Sequence, residues 1–380
     1  MRSMRRSSRM RARKLRNQPR SSRMSRASHS PVRKLIRRSI LLAFLFHAAI
    51  LPGCKQDAQP VVVYVSADEY VARPILEAFT KETGIPVLMV GDTEATKTTG
   101  LVERIRAERD NAIADVFWSS EAFMTIQLAN EGLLAAHESD TVDAWEATWK
   151  DPGHRWFGFS PRPRVLVFDP ERMSPASIPD SLQELVEPEW SGQIVMADPR
   201  FGTTGGQLAA LRSWYLQNGD EVGYETWVAG LVANDVDILP GGNAAVVEEV
   251  QSGRAMIGLT DADDVRAANR LGAQLVMKAV GPVESVGTFM MPNTVAIVTG
   301  SSNPDAGKLV DFLLSDTVAR ALAESVSGNI PIKPEIAREY PELSVSQPMK
   351  TDLNHAAENY VIAVNAIIEA IETRRRDDPS

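Results

Sequence analysis

Three carboxylates within four residues are the part of the sequence with the clearest chemical potential. Asp261, Asp263 and Asp264 come directly after the apolar run 255–259. Such a run predicts a short buried strand that ends near Thr260, and in open α/β sheets ligands collect beyond the carboxyl ends of strands. Clustered carboxylates repel one another unless a cation, a proton or water lies between them. The cluster therefore predicts a cation site.

The same three residues also suit the start of a helix. Asp261 has a side chain typical of an N-cap residue, and Asp263 and Asp264 would then lie in the first turn. The helix dipole favours negative charge at that end. A helix-capping role and a cation-binding role both fit the pattern, so the rest of the chain has to discriminate between them.

Two more carboxylates are expected at the same edge of the fold. Asp68 follows the β-branched run 61–65, and Glu121 follows the run 114–118. Both runs predict strands of a β-α-β arrangement, which places the ends of parallel strands on one rim. Asp68, Glu121 and the three clustered aspartates are therefore the predicted metal ligands. Carboxylate oxygens suit Fe³⁺, Mg²⁺, Ca²⁺ or Mn²⁺ and not a soft, thiophilic metal.

Hydroxyl groups and glycines before a predicted helix indicate an anion site. Thr203, Thr204, Gly205 and Gly206 precede the apolar positions of this helix, so their backbone N–H groups could point at a bound anion. The stretch is not a nucleotide-binding P-loop, because no lysine follows the glycines. Plain helix capping is the alternative for these residues.

Two arginines could add to this anion site. Arg162 and Arg164 lie in a proline-containing segment before the apolar run 165–168. The arginines could meet an anion in a cleft. They could equally be exposed side chains in a hinge, because arginine is commonly exposed.

The first 53 residues differ in character from the rest of the chain. They contain fifteen Lys and Arg and no Asp or Glu, and they end in the apolar run 40–51, which is too short for a comfortable membrane span. This pattern predicts a signal segment. Cys54 follows at once, and residues 51–54 resemble the bacterial lipobox, so Cys54 is the predicted site of lipidation. The alternatives are a free thiol and, for the arginines, a nucleic-acid-binding arm.

The remaining 327 residues are strongly acidic. The whole chain has a net charge of −8, but from Cys54 onward 26 Lys and Arg face 49 Asp and Glu, which gives −23. Such a chain is not expected to bind nucleic acid or anionic lipid non-specifically, and its field attracts cations. With one cysteine it needs no disulfide in an oxidising compartment. Its length suits two domains of ordinary size.

Short motifs along the mature chain resemble those of the periplasmic ferric-iron-binding proteins of ABC importers. They are Val63-Tyr64, Ala78-Phe79, Glu82-Thr83-Gly84-Ile85, Ala114-Asp115-Val116-Phe117, Glu131-Gly132-Leu133-Leu134-Ala135, Pro188-Glu189-Trp190-Ser191-Gly192 and Val310-Asp311-Phe312-Leu313-Leu314-Ser315. Their order and spacing from about 61 to 340 carry the resemblance. It implies an α/β protein with the two-lobed type II periplasmic-binding-protein fold, in which each lobe is a mixed sheet flanked by helices.

The leader pattern, the helical spacing near the C-terminus and the resemblance together imply a domain organisation. Residues 1–53 would be the signal segment, 54–60 a tether, 61–160 with 288–340 the first lobe, 161–287 the second lobe, and 341–380 a C-terminal helical segment.

The function implied by the resemblance is solute capture for an ABC importer. The cargo would be Fe³⁺ or another hard metal cation, with carbonate or phosphate as a co-ligand held at Thr203, Thr204, Gly205 and Gly206. Asn243, which follows two glycines before the predicted helix 244–250, matches another family position at which a polar residue faces the ligand, and it is a further predicted anion contact. The partner would be a permease in the inner membrane. We expect a periplasmic monomer that binds a small ligand, is anchored by lipid only, binds no nucleic acid and is not an enzyme.

The chain departs from the family pattern at the site itself. The tandem tyrosines of the iron binders are replaced by Asp263 and Asp264, Asp68 stands where they have a His or another polar residue, and Glu121 is displaced by one place from their Glu. Carboxylates thus replace phenolates. Two other functions stay open: a binder of a cationic organic solute such as a polyamine, and a metal-dependent hydrolase. Against the hydrolase, no histidine falls on a motif and no Gly-x-Ser-x-Gly elbow is present.

Overall fold

The computed structural model describes residues 59–91, 97–280 and 287–377 of the chain. The predicted signal segment 1–53, Cys54 and most of the predicted tether lie outside the described residues. The strands are β1 (Val61–Val65), β2 (Val87–Gly91), β3 (Val116–Ser119), β4 (Leu134–Ala135), β5 (Phe157–Phe168), β6 (Ile194–Ala197), β7 (Asp237–Leu239), β8 (Ile257–Asp261), β9 (Val276–Ala279) and β10 (Met290–Val298).

The α-helices alternate with these strands along most of the chain. They are α1 (Glu69–Thr83), α2 (Lys97–Ala107), α3 (Phe123–Asn130), α4 (Thr203–Gln217), α5 (Gly223–Ala233), α6 (Asn243–Gln251), α7 (Ala262–Arg270), α8 (Ala306–Leu313), α9 (Asp316–Glu324), α10 (Pro334–Ala337) and α11 (Leu353–Asp377). This alternation is typical of parallel sheets covered by helices.

Strand β5 belongs to two groups of strands at once. Its first half, 157–163, pairs antiparallel with β10, which joins it to β3, β1 and β2. Its second half, 164–168, pairs antiparallel with β8 and β9, and β8 continues through β6 to β7. We call the part around β1 to β4 and β10 lobe 1, and the part around β6 to β9 lobe 2. The predicted two-lobed α/β architecture is confirmed.

The crossing between the lobes has unusual backbone geometry. Ser160 has φ 41°, a conformation that costs energy for a residue with a side chain. Pro161 and Pro163 follow it in β5, and the pairing with β10 shifts register between Met291 and Asn293. The Asn293 side chain donates a hydrogen bond to the Ser160 carbonyl oxygen at 2.9 Å. This contact holds the crossing in a defined shape.

Helix α1 of lobe 1 continues through a proline. The sequence predicts that the helix starts or bends at Pro74, but α1 runs from Glu69 to Thr83 through it. Pro74 lies on the exposed side of the helix, where the carbonyl that loses its partner can be hydrated. The opposite side carries buried apolar residues, and Gly84 ends the helix with φ 73°. The helix therefore keeps its first turn next to Asp68.

The C-terminal helix α11 packs against helices of both lobes. It contacts α4 and α5 of lobe 2 and also α3 of lobe 1. The Tyr360 ring lies 5.8 Å from the Phe123 ring, and the Tyr224 hydroxyl donates to the Ala363 carbonyl oxygen at 2.8 Å. The sequence predicts a helix lying across a lobe, and the structure extends this contact to the second lobe.

Helix α11 is also the longest helix of the described residues. Its buried residues are mostly apolar, whereas its exposed residues include charged side chains and also Val361 and Ile362. No helix in the ranges 59–91, 97–280 and 287–377 combines the length and the apolar content that crossing a membrane requires.

Candidate functional site

A cavity of about 330 Å³ lies between the two lobes. Lobe 1 contributes Ser66, Asp68 and Ser120 from the ends of β1 and β3. Lobe 2 contributes residues from the ends of β6, β7 and β8 and from the starts of α4, α6 and α7. The cavity therefore lies where ligands bind in open α/β sheets, beyond the carboxyl ends of the strands.

The predicted acidic cluster forms one wall of this cavity. Strand β8 ends at Asp261, and Asp263 and Asp264 lie in the first turn of α7. Asp68 faces them from lobe 1, between β1 and α1. Asp261, Asp263 and Asp264 each offer an oxygen, and these oxygens lie within 4.8 Å of one another. The structure thus brings four of the five predicted cation ligands to one cavity.

Asp261 is bound on both of its carboxylate oxygens by side chains of the protein. Arg164 Nη1 donates to Oδ1 at 2.9 Å. Arg162 Nε, the Thr203 hydroxyl and Asn243 Nδ2 donate to Oδ2 at 3.1, 2.8 and 3.1 Å. Burial alone would raise the pKa of Asp261, but the two arginines and the hydrogen bonds lower it below the ordinary value. Asp261 is a buried, charged centre of a hydrogen-bond network.

Several residues predicted to hold an anion also belong to this network. Arg164 is fully buried and donates to Gln207, Thr203, Asn243 and Asp261. Its counter-charge is Asp261, so its buried position is explained without an external anion, and it is not among the cavity-lining residues. Arg162, Thr203 and Asn243 share Asp261 with it, but all three also line the cavity.

The glycines at the start of α4 serve close packing. A Cβ atom at Gly205 would overlap with the Pro199 carbonyl oxygen and the Tyr360 hydroxyl, and one at Gly206 would overlap with the Met291 and Phe123 side chains. Neither glycine is among the residues that line the cavity, and Thr204 is buried beside them. In place of the predicted anion contact, the structure gives these glycines a steric role. They leave room for α11 and β10, which approach α4 closely here.

Asp263 differs from Asp261 in how its oxygens are bound. Its Oδ2 lies 3.3 Å from Arg162 Nε, and its Oδ1 is buried without a hydrogen-bond partner among the described residues. Burial raises the pKa of Asp263 to about 6, and Asp261 and Asp68 add to this while Arg162 opposes it. A buried carboxylate oxygen without a donor is costly, and a cation would satisfy it.

Tyr70 is a residue near the site that the sequence patterns did not indicate. Its hydroxyl donates to Asp68 Oδ2 at 3.0 Å. Burial raises the pKa of Tyr70, and Asp68, Asp263 and Asp264 raise it further, so the phenol lies close to the acidic wall. A usable signal is its place two residues after Asp68, in the first turn of α1. The family resemblance directs attention only to the tandem positions, where this chain has no tyrosine.

Glu121 caps a helix behind the wall of the cavity. Its carboxylate accepts hydrogen bonds from the backbone N–H groups of Phe123 and Met124 at 2.9 and 2.8 Å, at the start of α3. The side chain is 1% exposed and is not among the cavity-lining residues, so this position gives it a capping role in place of the predicted ligand role. Burial raises the pKa of Glu121 to about 7, although the two backbone donors and Arg162 act to lower it.

Comparison with protein families identifies the class of this protein. The model of the family described as "Bacterial extracellular solute-binding protein" matches residues 111–353. The chain belongs to this family.

Two relatives have names that report what they bind or transport. The chain is 25% identical over 295 residues to "Iron uptake protein A1" of Synechocystis, covering 74% of this chain and 79% of the relative. It is 27% identical over 301 residues to the "Major ferric iron-binding protein" of Neisseria meningitidis, covering 76% of this chain and 86% of the relative.

Solved structures share the fold at lower sequence identity. Iron-bound HitA from Pseudomonas aeruginosa aligns with a TM-score of 0.71 at 23% identity over 81% of this chain and 99% of its own. The binding protein AfuA from Actinobacillus pleuropneumoniae, with exogenous fructose-6-phosphate bound, aligns with a TM-score of 0.65 at 21% identity over 82% and 98%. These likenesses confirm the two-lobed type II periplasmic-binding fold. Since the two structures hold different ligands, the fold alone does not decide the cargo.

Replacing Glu121 by glutamine tests the buried carboxyl. A carboxyl group with a folded pKa of about 7 and an ordinary value of 4.5 stabilises the fold at low pH, and that stability is lost as pH rises through about 7. The amide of the variant does not titrate. We expect the unfolding free energy of Glu121→Gln, relative to wild type, to rise by about 1–3 kcal/mol between acidic and mildly alkaline pH. Denaturant titrations at both pH values measure the difference in unfolding free energy between the two proteins. A difference that does not change with pH would contradict the raised pKa of Glu121.

Replacing Asp261 by asparagine tests the network around it. The change leaves Arg162 and Arg164 buried with their shared counter-charge removed, which we expect to cost about 3–5 kcal/mol of unfolding free energy. Denaturant unfolding measures this loss, with Asp237→Asn as the control because Asp237 is exposed in the same lobe. Equal stability of the two variants would show that Asp261 does not hold the network together.

Proposed function

We propose that this protein is the solute-binding component of an ABC importer and that its cleft captures Fe³⁺ or another hard metal cation together with an anion. The observation that carries the proposal is the convergence of Asp68 from lobe 1 with Asp263 and Asp264 from lobe 2 on one cavity. Carboxylate oxygens are the ligands that hard cations prefer. The names of the two relatives point to iron among these cations.

The charge balance of the cavity supports an accompanying anion. The four aspartates of the wall, Asp68, Asp261, Asp263 and Asp264, face the two arginines of β5, Arg162 and Arg164, which leaves a formal charge of −2. A divalent cation would neutralise this charge. A trivalent cation would leave an excess positive charge, which a small anion such as carbonate or phosphate would compensate.

Groups that could hold such an anion lie on the crossing strand β5 and on the lobe 2 side of the cavity. Arg162 lines the cavity beside Asp263, and the first residues of two helices, α4 and α6, line it as well. Helix N-termini offer backbone N–H groups and a favourable dipole to anions. Thr203 at α4 and Asn243 at α6 are therefore the predicted anion contacts that fit this position best.

The proposed cellular setting is supported by the family and by the leader of the sequence. The family description places its members outside the cytoplasm. The basic, apolar leader and Cys54 support export followed by lipid anchoring, and a permease in the inner membrane would receive the cargo. In this setting the protein acts as a monomeric carrier that is held at the membrane by lipid alone.

Asp263→Asn tests the cation site directly. The change keeps the size and polarity of the side chain and removes one charge, so affinity for the cation is expected to fall at least about tenfold, or about 1.4 kcal/mol. Calorimetric titration with ferric nitrilotriacetate, and then with Mn²⁺ and Ca²⁺, in bicarbonate or phosphate measures the affinity.

Two matched variants accompany that titration. Asp237→Asn removes an exposed charge from lobe 2 and should leave affinity unchanged. Tyr70→Phe removes the hydroxyl that donates a hydrogen bond to Asp68. If the phenol only orients this carboxylate, the loss of cation affinity should be smaller than that of Asp263→Asn. Failure of the wild type to bind any of these metals would reject the proposal, and equal affinity of wild type and Asp263→Asn would reject the site.

Cys54→Ala tests the membrane anchor. A lipid on Cys54 requires its thiol, so cells fed a labelled fatty acid should label the wild type and leave Cys54→Ala unlabelled. The variant should also move from the membrane fraction to the soluble periplasmic fraction. Equal labelling of both proteins would rule out this anchor.

A further inference from the structure

Helix α7 carries two arginines on the side that faces lobe 1. Arg266 Nη1 donates to the carbonyl oxygens of Ser327 and Gly328 at 3.1 and 2.8 Å. Arg270 Nη2 donates to the carbonyl oxygen of Ser325 at 3.1 Å. These three hydrogen bonds connect lobe 2 to the segment that follows α9 in lobe 1.

The carbonyl groups of the accepting segment are well suited to bind a guanidinium group. Helix α9 ends at Glu324, so the three accepting carbonyl groups follow its C-terminus, the end of a helix that favours cations. Gly328 has φ 56°, and a Cβ atom there would lie about 3.1 Å from the Arg266 side chain. The backbone thus approaches the guanidinium closely. Hydrogen bonds from a charged donor are stronger than those between neutral groups.

The same segment touches the cavity and the crossing strand. Ser327 and Asn329 line the cavity, and the backbone N–H of Ile330 donates to the carbonyl oxygen of Pro161 in β5 at 2.8 Å. Arg266 follows Asp263 by one turn of α7, so one short helix carries both a predicted cation ligand and a contact to the opposite lobe. Neither Arg266 nor Arg270 is among the cavity-lining residues.

We propose that Arg266 and Arg270 form an interlobe latch that stabilises the closed cleft and raises affinity for the cargo without touching it. The cargo binds the closed form through carboxylates from both lobes. Its apparent dissociation constant therefore depends on the fraction of molecules that are closed before binding. The latch raises that fraction, because its hydrogen bonds exist only when α7 meets the segment 325–328. The effect on affinity rests on the proposed function, whereas the effect on closure does not.

Small-angle scattering on the purified full chain without added metal tests closure. We expect Arg266→Ala/Arg270→Ala to have a larger radius of gyration than wild type, and saturating ferric nitrilotriacetate with bicarbonate to bring both to the same value. Arg254→Ala is the control, because Arg254 is an exposed lobe 2 arginine that pairs with Glu249 in its own lobe. An equal radius of gyration of the double variant and wild type without metal would overturn the latch.

Calorimetric titration with the same ferric probe tests the effect on affinity. The double variant should bind about tenfold more weakly, as expected for lost charge-assisted hydrogen bonds, and Arg254→Ala should match wild type. Arg266→Lys keeps a charged donor and should recover part of the affinity. A loss of affinity without a change in the radius of gyration would contradict the latch, because it would indicate a local effect on Asp263.

A second variant approaches the latch from lobe 1. Gly328→Ala places a methyl group against Arg266 and disfavours the positive φ, so it should open the cleft while leaving both arginines in place. If Gly328→Ala has the same radius of gyration as wild type without metal, the latch is contradicted. If neither wild type nor variants bind Fe³⁺, the proposed cargo is wrong, and the scattering comparison without metal still decides the latch.

Discussion

The buried ion pairs between Asp261 and the two arginines of β5 constrain the rest of the site. Charges removed from water are tolerated only when each is paired and hydrogen-bonded, and breaking such a pair leaves an uncompensated charge. Asp261 meets this requirement with donors from three further places in the chain, β5, the start of α4 and the start of α6. The network therefore fixes where these helices begin relative to β8. It also fixes the first turn of α7, which carries Asp263 and Asp264.

The arginines of the network lie on the strand that joins the lobes. Arg162 is in the half of β5 that pairs with β10, whereas Arg164 is opposite Asp261 in the half that pairs with β8. Ser160, with its positive φ, comes two residues earlier. Arg162 therefore joins the pairing with lobe 1 to the aspartates of lobe 2, because its Nε lies 3.1 Å from Asp261 Oδ2 and 3.3 Å from Asp263 Oδ2.

Local patterns were sufficient to predict the positions of the acidic wall, and long-range contacts were not predictable from them. The apolar run before Asp261 predicts β8, and the spacing of the aspartates predicts the first turn of α7, because both depend on neighbours in sequence. The pairing of Arg164 with Asp261 joins residues 97 positions apart, so the arginine could be read only as an exposed or anion-binding side chain. The packing of Gly205 against Tyr360 depends on the docking of α11. The end of a predicted strand locates a residue only to within one or two positions. At the end of β3 this difference decides whether a side chain lines the cavity, as Ser120 does, or caps a helix, as Glu121 does.

Closure of the cleft has an electrostatic cost that a cation can remove. Asp68 belongs to lobe 1 and Asp263 to lobe 2, and Asp68 contributes to raising the pKa of Asp263. Bringing the lobes together thus adds repulsion that an open cleft lacks, and Arg162 offsets only part of it. On the proposed function, a cation between the carboxylates would interact favourably with the closed form and much less with the open form. Such a difference in interaction energy lets a ligand shift a conformational equilibrium. The carboxylates would then couple binding to closure, and the proposed latch of Arg266 and Arg270 would set how readily closure occurs.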